Sequence, residues 1–159
     1  MSDGAFEPLE SVVIEDELRL HGAYASVTRG TSMRPLFKTH RDIVVIGRAD
    51  GDLKKYDVAL YRAPSGRYVL HRVVRVYPDR YLIRGDNTFI DEYIMKSDII
   101  GVLTGFNRKG REYTVEGSGY RLYSRFWVLI YPLRKLCYRV NVFLHKLYRF
   151  VFRRGKRAR

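Results

Sequence analysis

Every acidic residue of this chain lies before residue 117, and no other feature constrains its folding as strongly. Residues 1–118 carry 18 Lys/Arg and 17 Asp/Glu, whereas residues 119–159 carry 12 Lys/Arg and no acid. The first part can pair its charges within itself, as a globular domain does. The second has no acids of its own, so its cations must face solvent or a polyanion. Gly117-Ser118-Gly119 stands at the change. Three segments are expected: a short amphipathic helix within 1–22, a β-rich domain over 23–118 and a basic amphipathic helical tail over 119–159. A length of 159 residues suits one domain with an appendage.

In the first segment, Leu9, Val12, Val13 and Leu18 share one face of a helix and acids fill the other, with Gly22 ending it. Then come short strands. Ile43–Ile46, Asp57–Arg62, Arg67–Val76, Tyr81–Arg84, Ile99–Leu103 and Tyr113–Val115 are apolar or alternating runs divided by Gly, Pro, Asp and Asn turns. Strands so short and so regularly spaced predict a mainly β domain with some α, built as a coiled sheet or partial barrel.

Beyond the glycines the period becomes helical. At 100° per residue, Arg121, Arg125, Lys135, Arg139, Lys146, Arg149 and Arg153 gather on one arc. Aromatic and aliphatic residues from Phe126 to Phe152 fill the remainder, and Pro132 is expected to kink or split the helix. Tyrosines and Trp127 suit a headgroup boundary, and the cations suit anionic lipid. Arg121, Arg125, Trp127, Lys135 and Arg139 are the expected membrane contacts, with Arg153–Arg159 as a polybasic end. A nucleic-acid arm would not need so apolar a face, so nucleic acid is the disfavoured polyanion. The simpler alternative is a helix whose apolar face covers the β domain.

Chemistry is concentrated in three places. Ser32 follows Gly30-Thr31, where the chain can turn, and Met33 and Pro35 anchor the segment. A serine hydroxyl needs a base about 3 Å away and donors for a developing oxyanion. His71 lies within an expected strand and so points to one defined face. Asp86 lies in the Gly85-Asp86-Asn87 turn, where it can orient an imidazole and stabilise its cation. Each residue alone has an ordinary reading: a turn serine, a strand histidine, a turn aspartate.

Taken in order, they resemble a family. Gly30-Thr31-Ser32-Met33-Arg34-Pro35 is similar to the serine box of the signal peptidase and SOS-repressor peptidase superfamily. His71-Arg72-Val73-Val74 is similar to its second box, in the form that carries histidine in place of lysine. Arg84-Gly85-Asp86-Asn87, with Asp91 downstream, is similar to the third, and Ile99–Val102 to the closing strand. The resemblance covers residues 23–106. It implies that family's β-rich fold, Ser32 as nucleophile, His71 as general base, and Asp86 as the preferred orienting acid with Asp91 as the alternate. It also implies the Ser32 N–H as an oxyanion donor, with Thr31 and Met33 as flanking positioning residues, and small residues at the cleavage site of a peptide or protein substrate. Two departures stand out. Many relatives carry a serine where this chain has Gly30, and signal peptidases carry a membrane span before the serine box, where this chain has a short acidic helix.

Other classes are excluded or disfavoured. Cys137 is the only cysteine, so no internal disulfide can form. Neither metal-ligand spacing nor a glycine-rich phosphate loop is present, and no cofactor is expected. Six acids within residues 1–22 are the wrong sign for the start of a secretory leader, and no apolar run is long enough to span a bilayer. The expected location is peripheral, on the cytoplasmic face of the membrane. Two other readings are an inactive peptide- or membrane-binding module on the same scaffold and a self-cleaving regulator. The short stretch before Ser32 leaves the regulator no room for a helix-turn-helix domain.

Overall fold

The computed structural model describes residues 8–155, with side chains over 14–150. Among them, eight strands form one antiparallel sheet, accompanied by three α-helices and a short 3-10 turn. Helix α1 spans Pro8–His21. Gly22 closes it in the left-handed region (φ 73°), its N–H bonded to the Leu18 carbonyl. Ile14 and Leu18 are buried; the side chains of Leu9, Val12 and Val13, expected on the same face, lie outside the described residues.

The strands are β1 (Ala23–Val27), β2 (Ile43–Gly47), β3 (Val58–Arg62), β4 (Tyr68–Val76), β5 (Arg80–Arg84), β6 (Glu92–Met95), β7 (Ile99–Arg108) and β8 (Arg111–Thr114). They are ordered β1-β2-β7-β3-β4-β5-β6, with β8 paired to β7. β7 is the hub. β2 lies along one of its edges over residues 102–107, while β3 (residues 99–102) and β8 (residues 105–108) share the other, which its ten residues allow. β1 and β6 were not expected from the sequence.

Two buried clusters are divided by strand parity. Val58 and Leu60 of β3 join Ile14, Leu18, Met33 and Phe37 in one. Ala59 and Tyr61, the alternate residues, join Val73, Tyr81 and Ile83 in the other. The first four of the five β3 residues are buried, so this strand reads as a continuous apolar run rather than an alternation. Each such aliphatic side chain contributes roughly 1.5–3 kcal/mol by burial.

Helices α2 (Ser118–Leu129) and α3 (Tyr131–Gly155) follow. The break falls at Ile130, and Pro132 occupies the first turn of α3, where its missing N–H costs nothing. Side chains of Phe152 and of residues 153–159 lie outside the described residues. The chain divides into two compact units, one ending at Arg125 and one beginning at Phe126. The division therefore falls within α2 and not at Gly117–Gly119, because the first turns of α2 pack into the first unit, as described below.

Candidate active site

His71 lies on β4 opposite Ala59 of β3 and is almost fully buried. Its Nδ1 is 3.0 Å from Glu92 Oε1 and 3.1 Å from the Tyr61 hydroxyl. Tyr61 donates in turn to Glu92 Oε2 at 2.9 Å. These bonds fix the neutral tautomer. Tyr61 spends its proton on Glu92, and an ionised carboxylate only accepts, so Nδ1 carries the hydrogen and Nε2 the lone pair. The hydrogen bond from His71 holds Glu92 below the usual carboxylate range, against the opposing effect of burial. Burial, then the charge and hydrogen bond of Glu92, push the Tyr61 phenol upward, so it stays protonated.

Register explains the meeting. Ala59 pairs with His71, and Tyr61 stands two residues along β3 on the same face. Val73, two residues from His71, pairs with Ile83 of β5, and Ile83 pairs with Glu92 of β6. Tyr61, His71 and Glu92 therefore share a face across four strands.

Nε2 points the other way, to the end of β5. There Gly85 leaves a gap: a Cβ on it would stand 3.0 Å from His71 Nε2 and 2.8 Å from the Ser32 carbonyl oxygen. Only glycine lets the histidine and the serine segment approach across this point. Ser32 sits in the loop joining β1 to β2. Buried Met33, Leu36 and Phe37 pin that loop, and the Arg108 guanidinium donates to the Pro35 carbonyl at 2.7 Å. Buried Asp42 accepts the Lys38 N–H at 2.9 Å and bonds Arg41. The Asn87 N–H donates to the Ser32 carbonyl at 2.6 Å, and its side-chain amide to the Thr31 carbonyl at 3.3 Å. Half-buried Ser32 is thus a neighbour of His71, and its hydroxyl makes no hydrogen bond to the ring among the described residues. Beside it lies a small cavity of about 30 Å³, lined by Thr28, Gly30, Ser32, Met33, Phe37 and Leu70.

The two acids expected to orient His71 are engaged elsewhere. Arg72, next to His71 in the strand, points to the opposite face and takes Asp86 in a buried bidentate pair, 2.8 and 2.7 Å. Tyr123 of α2 donates to the same carboxylate at 3.0 Å. Arg72 also donates to the Ser124 hydroxyl, the Tyr56 carbonyl and the Tyr120 hydroxyl. Asp91 accepts from Arg84 at 2.5 Å. The carboxylate on the His71 ring is that of Glu92, and this corrects both expectations. Thr31 is exposed and contributes its carbonyl to Asn87, while Met33 is a core residue of the loop.

The expected membrane contacts fall on α2 and α3. Arg121, Arg125 and Arg139 are exposed and Lys135 is half-buried near the Tyr131 ring. Trp127 is half-buried beneath the Arg134 guanidinium, 3.9 Å from its ring centre, which places it with the cations and not with the apolar residues.

Sequence reasoning missed Glu92, Tyr61 and Gly85. The available signal was Glu92 as the one acid opening an otherwise uncharged run, Tyr93-Ile94-Met95. Among the described residues, no group of three or more His, Cys, Asp or Glu side chains is placed to hold a metal ion. No family model matches the chain, and no curated protein matches it.

Proposed function

We propose that the protein is a serine peptidase of the signal peptidase-like superfamily, its sheet coiled into that family's partial barrel. It acts on a peptide or protein substrate at the membrane periphery. The observation that carries this reading is the His71 ring, bonded at Nδ1 to Glu92 and Tyr61, with its Nε2 and the Ser32 carbonyl both within 3.0 Å of the point where a Cβ on Gly85 would stand. In the proposed reaction Nε2 takes the Ser32 proton as Oγ attacks the scissile carbonyl. Glu92 stabilises the imidazolium that results. The imidazolium then gives its proton to the leaving amine; water, deprotonated by the same nitrogen, attacks the acyl carbonyl, the Ser32 Oγ–acyl bond breaks, and the imidazolium returns that proton to Oγ. The Ser32 N–H serves the oxyanion. The small cavity beside Ser32 suits a small side chain at the cleaved bond. The Arg72–Asp86 pair holds the turn whose next residue, Asn87, fixes the Ser32 carbonyl.

Location on the cytoplasmic face, peripheral to the bilayer, is part of the proposal. Its support is the concentration of basic charge in residues 119–159. No described helix is long and apolar enough to cross a membrane. A second reading, an inactive peptide-binding module, draws on Gly30 in place of a hydroxyl donor and on the missing Ser32–His71 hydrogen bond. Catalytic hydrogen bonds often form only when substrate is bound, so this geometry does not favour the second reading over the first. A fluorophosphonate probe decides between them. It is expected to label the wild type at Ser32 and to leave the Ser32→Ala variant unlabelled. Equal labelling of both, or of neither, would remove Ser32 from the chemistry.

A further inference from the structure

The helical segment after Arg125 presents a combination of surfaces that only one kind of partner satisfies. Within α3, Leu133, Leu136, Val140, Phe143 and Leu147 recur at alternating intervals of three and four residues. All five are exposed, Phe143 at 64% and Leu133 at 62%. The Ile130 N–H bonds to the Phe126 carbonyl and the Arg134 N–H to that of Ile130, so the turn spacing carries through the break. The stripe therefore continues back through exposed Leu129 and Phe126. Cys137 and Leu144 widen it to an arc of about 120° at 100° per residue. Arg134, Lys135, Arg139, Lys146 and Arg149 fall on an opposing arc of about 140°, shared with Tyr138, Val142 and His145.

We infer that α3 and the end of α2 form an interfacial helix that lies in the plane of an anionic lipid bilayer. This deepens the membrane-side location proposed above and rests on it, but it requires nothing of Ser32 or His71. Three partners compete for such a face. A second copy would cover the stripe, but residues 119–159 contain no acid, so pairing two helices would bring like charges together without relief. A nucleic acid would neutralise the cations and leave the leucines in water. An anionic bilayer takes both faces: acyl chains receive the stripe, and headgroup phosphates and carboxylates receive the flanking cations. The apolar arc is also broader than a strict coiled-coil seam, as suits a helix sunk to half its depth. With its cations recurring along the whole length, α3 lies along the surface, where its 25 residues cover about 37 Å.

The test uses the full chain, sedimented with vesicles of phosphatidylcholine alone or with one quarter phosphatidylserine. Binding is expected to the mixed vesicles and to weaken with salt. Phe143→Asn/Leu147→Asn, which leaves the charge unchanged, is expected to reduce it about tenfold or more through the stripe, and Lys146→Gln/Arg149→Gln about tenfold through the charge. Far-UV circular dichroism checks that helix content persists. Undiminished binding by the Phe143/Leu147 variant would overturn the inference, since charge alone would then be holding the helix. So would DNA co-sediment in place of vesicles, or a dimer that the Phe143/Leu147 variant converts to monomer without any lipid binding. A wild type that binds vesicles but never reacts with the serine probe would sink the peptidase reading and leave this one standing.

Discussion

The unit ending at Arg125 and the helix that follows solve the same problem, long apolar and basic side chains, in opposite ways. In the first unit Tyr61, Val58 and Ile83 are sealed from solvent, and the buried guanidinium of Arg72 has an acid, a carbonyl and hydroxyls on its donors. In the second, Leu133 and Phe143 stand in water and the sequence supplies no acid at all. The first is a structure complete in itself. In the second, apolar side chains lie exposed on one arc and the cations have no acid of their own segment to pair with. Helix propensity and i,i+4 contacts can hold α3 helical, but they do not decide what covers it.

The difference predicts where substitutions are felt. The largest effects are expected on turnover: His71→Ala or Ser32→Ala should lower kcat by about 10⁴–10⁶-fold, because members of such a unit fail together. Peptide cleavage against the wild type measures this, and turnover unchanged by His71→Ala would remove the base from the mechanism. Next comes Glu92→Gln, expected to cost about 10³–10⁴-fold by disturbing the His71 tautomer, whereas Asp91→Asn should cost little. The reverse ranking would return the orienting role to Asp91.

The Glu92 carboxylate also gives a pH signature. Its folded-state pKa is depressed, so its contribution to stability is fully present above the usual carboxylate value and is lost as pH falls through the lowered one. The stability gap between wild type and Glu92→Gln, read from urea midpoints, should therefore be wider at pH 6 than at pH 3. A gap independent of pH would mean that the His71 contact adds nothing to folding.

A smaller free-energy change, but the sharpest contrast between the two regions, comes from stability alone. Asp86→Ala leaves the Arg72 charge buried without its acid and should cost about 3–5 kcal/mol. Leu136→Ala, on an exposed face, should stay within about 0.5 kcal/mol. Equal losses from the two would erase the distinction between a self-sufficient core and an outward-facing helix.

How much of this could be read from the residues follows from how local each signal is. The Ser32 turn, the strand carrying His71 and the helical period after Gly119 are all contiguous patterns. Glu92 was hidden because its contact with His71 depends on the register of four strands, and β6 is too short to declare itself. Asp86 looked right because it sits beside Gly85 and Asn87, which do face the serine segment. Its side chain, however, follows Arg72, and neighbours along a strand face opposite ways. Gly117 closes a real turn and Gly119 lies within α2, yet Tyr120, Tyr123 and Ser124 just beyond them complete a buried ion pair that no local pattern reveals.

That ion pair also has a bearing on synthesis. Arg72 and Asp86 leave the ribosome well before Tyr123 and Ser124, which follow them by 37 and 52 positions in the respective bonds. Until those arrive, a nascent chain holds Ser32, His71 and Glu92 with the turn at Gly85–Asn87 only partly braced. The full set of bonds around Arg72 and Asp86 thus requires the segment that leads into the basic helix. A stalled chain whose exposed portion ends at Glu116 should be digested faster by a protease than one exposed through Arg125. Equal resistance would mean that the sheet closes without its last brace.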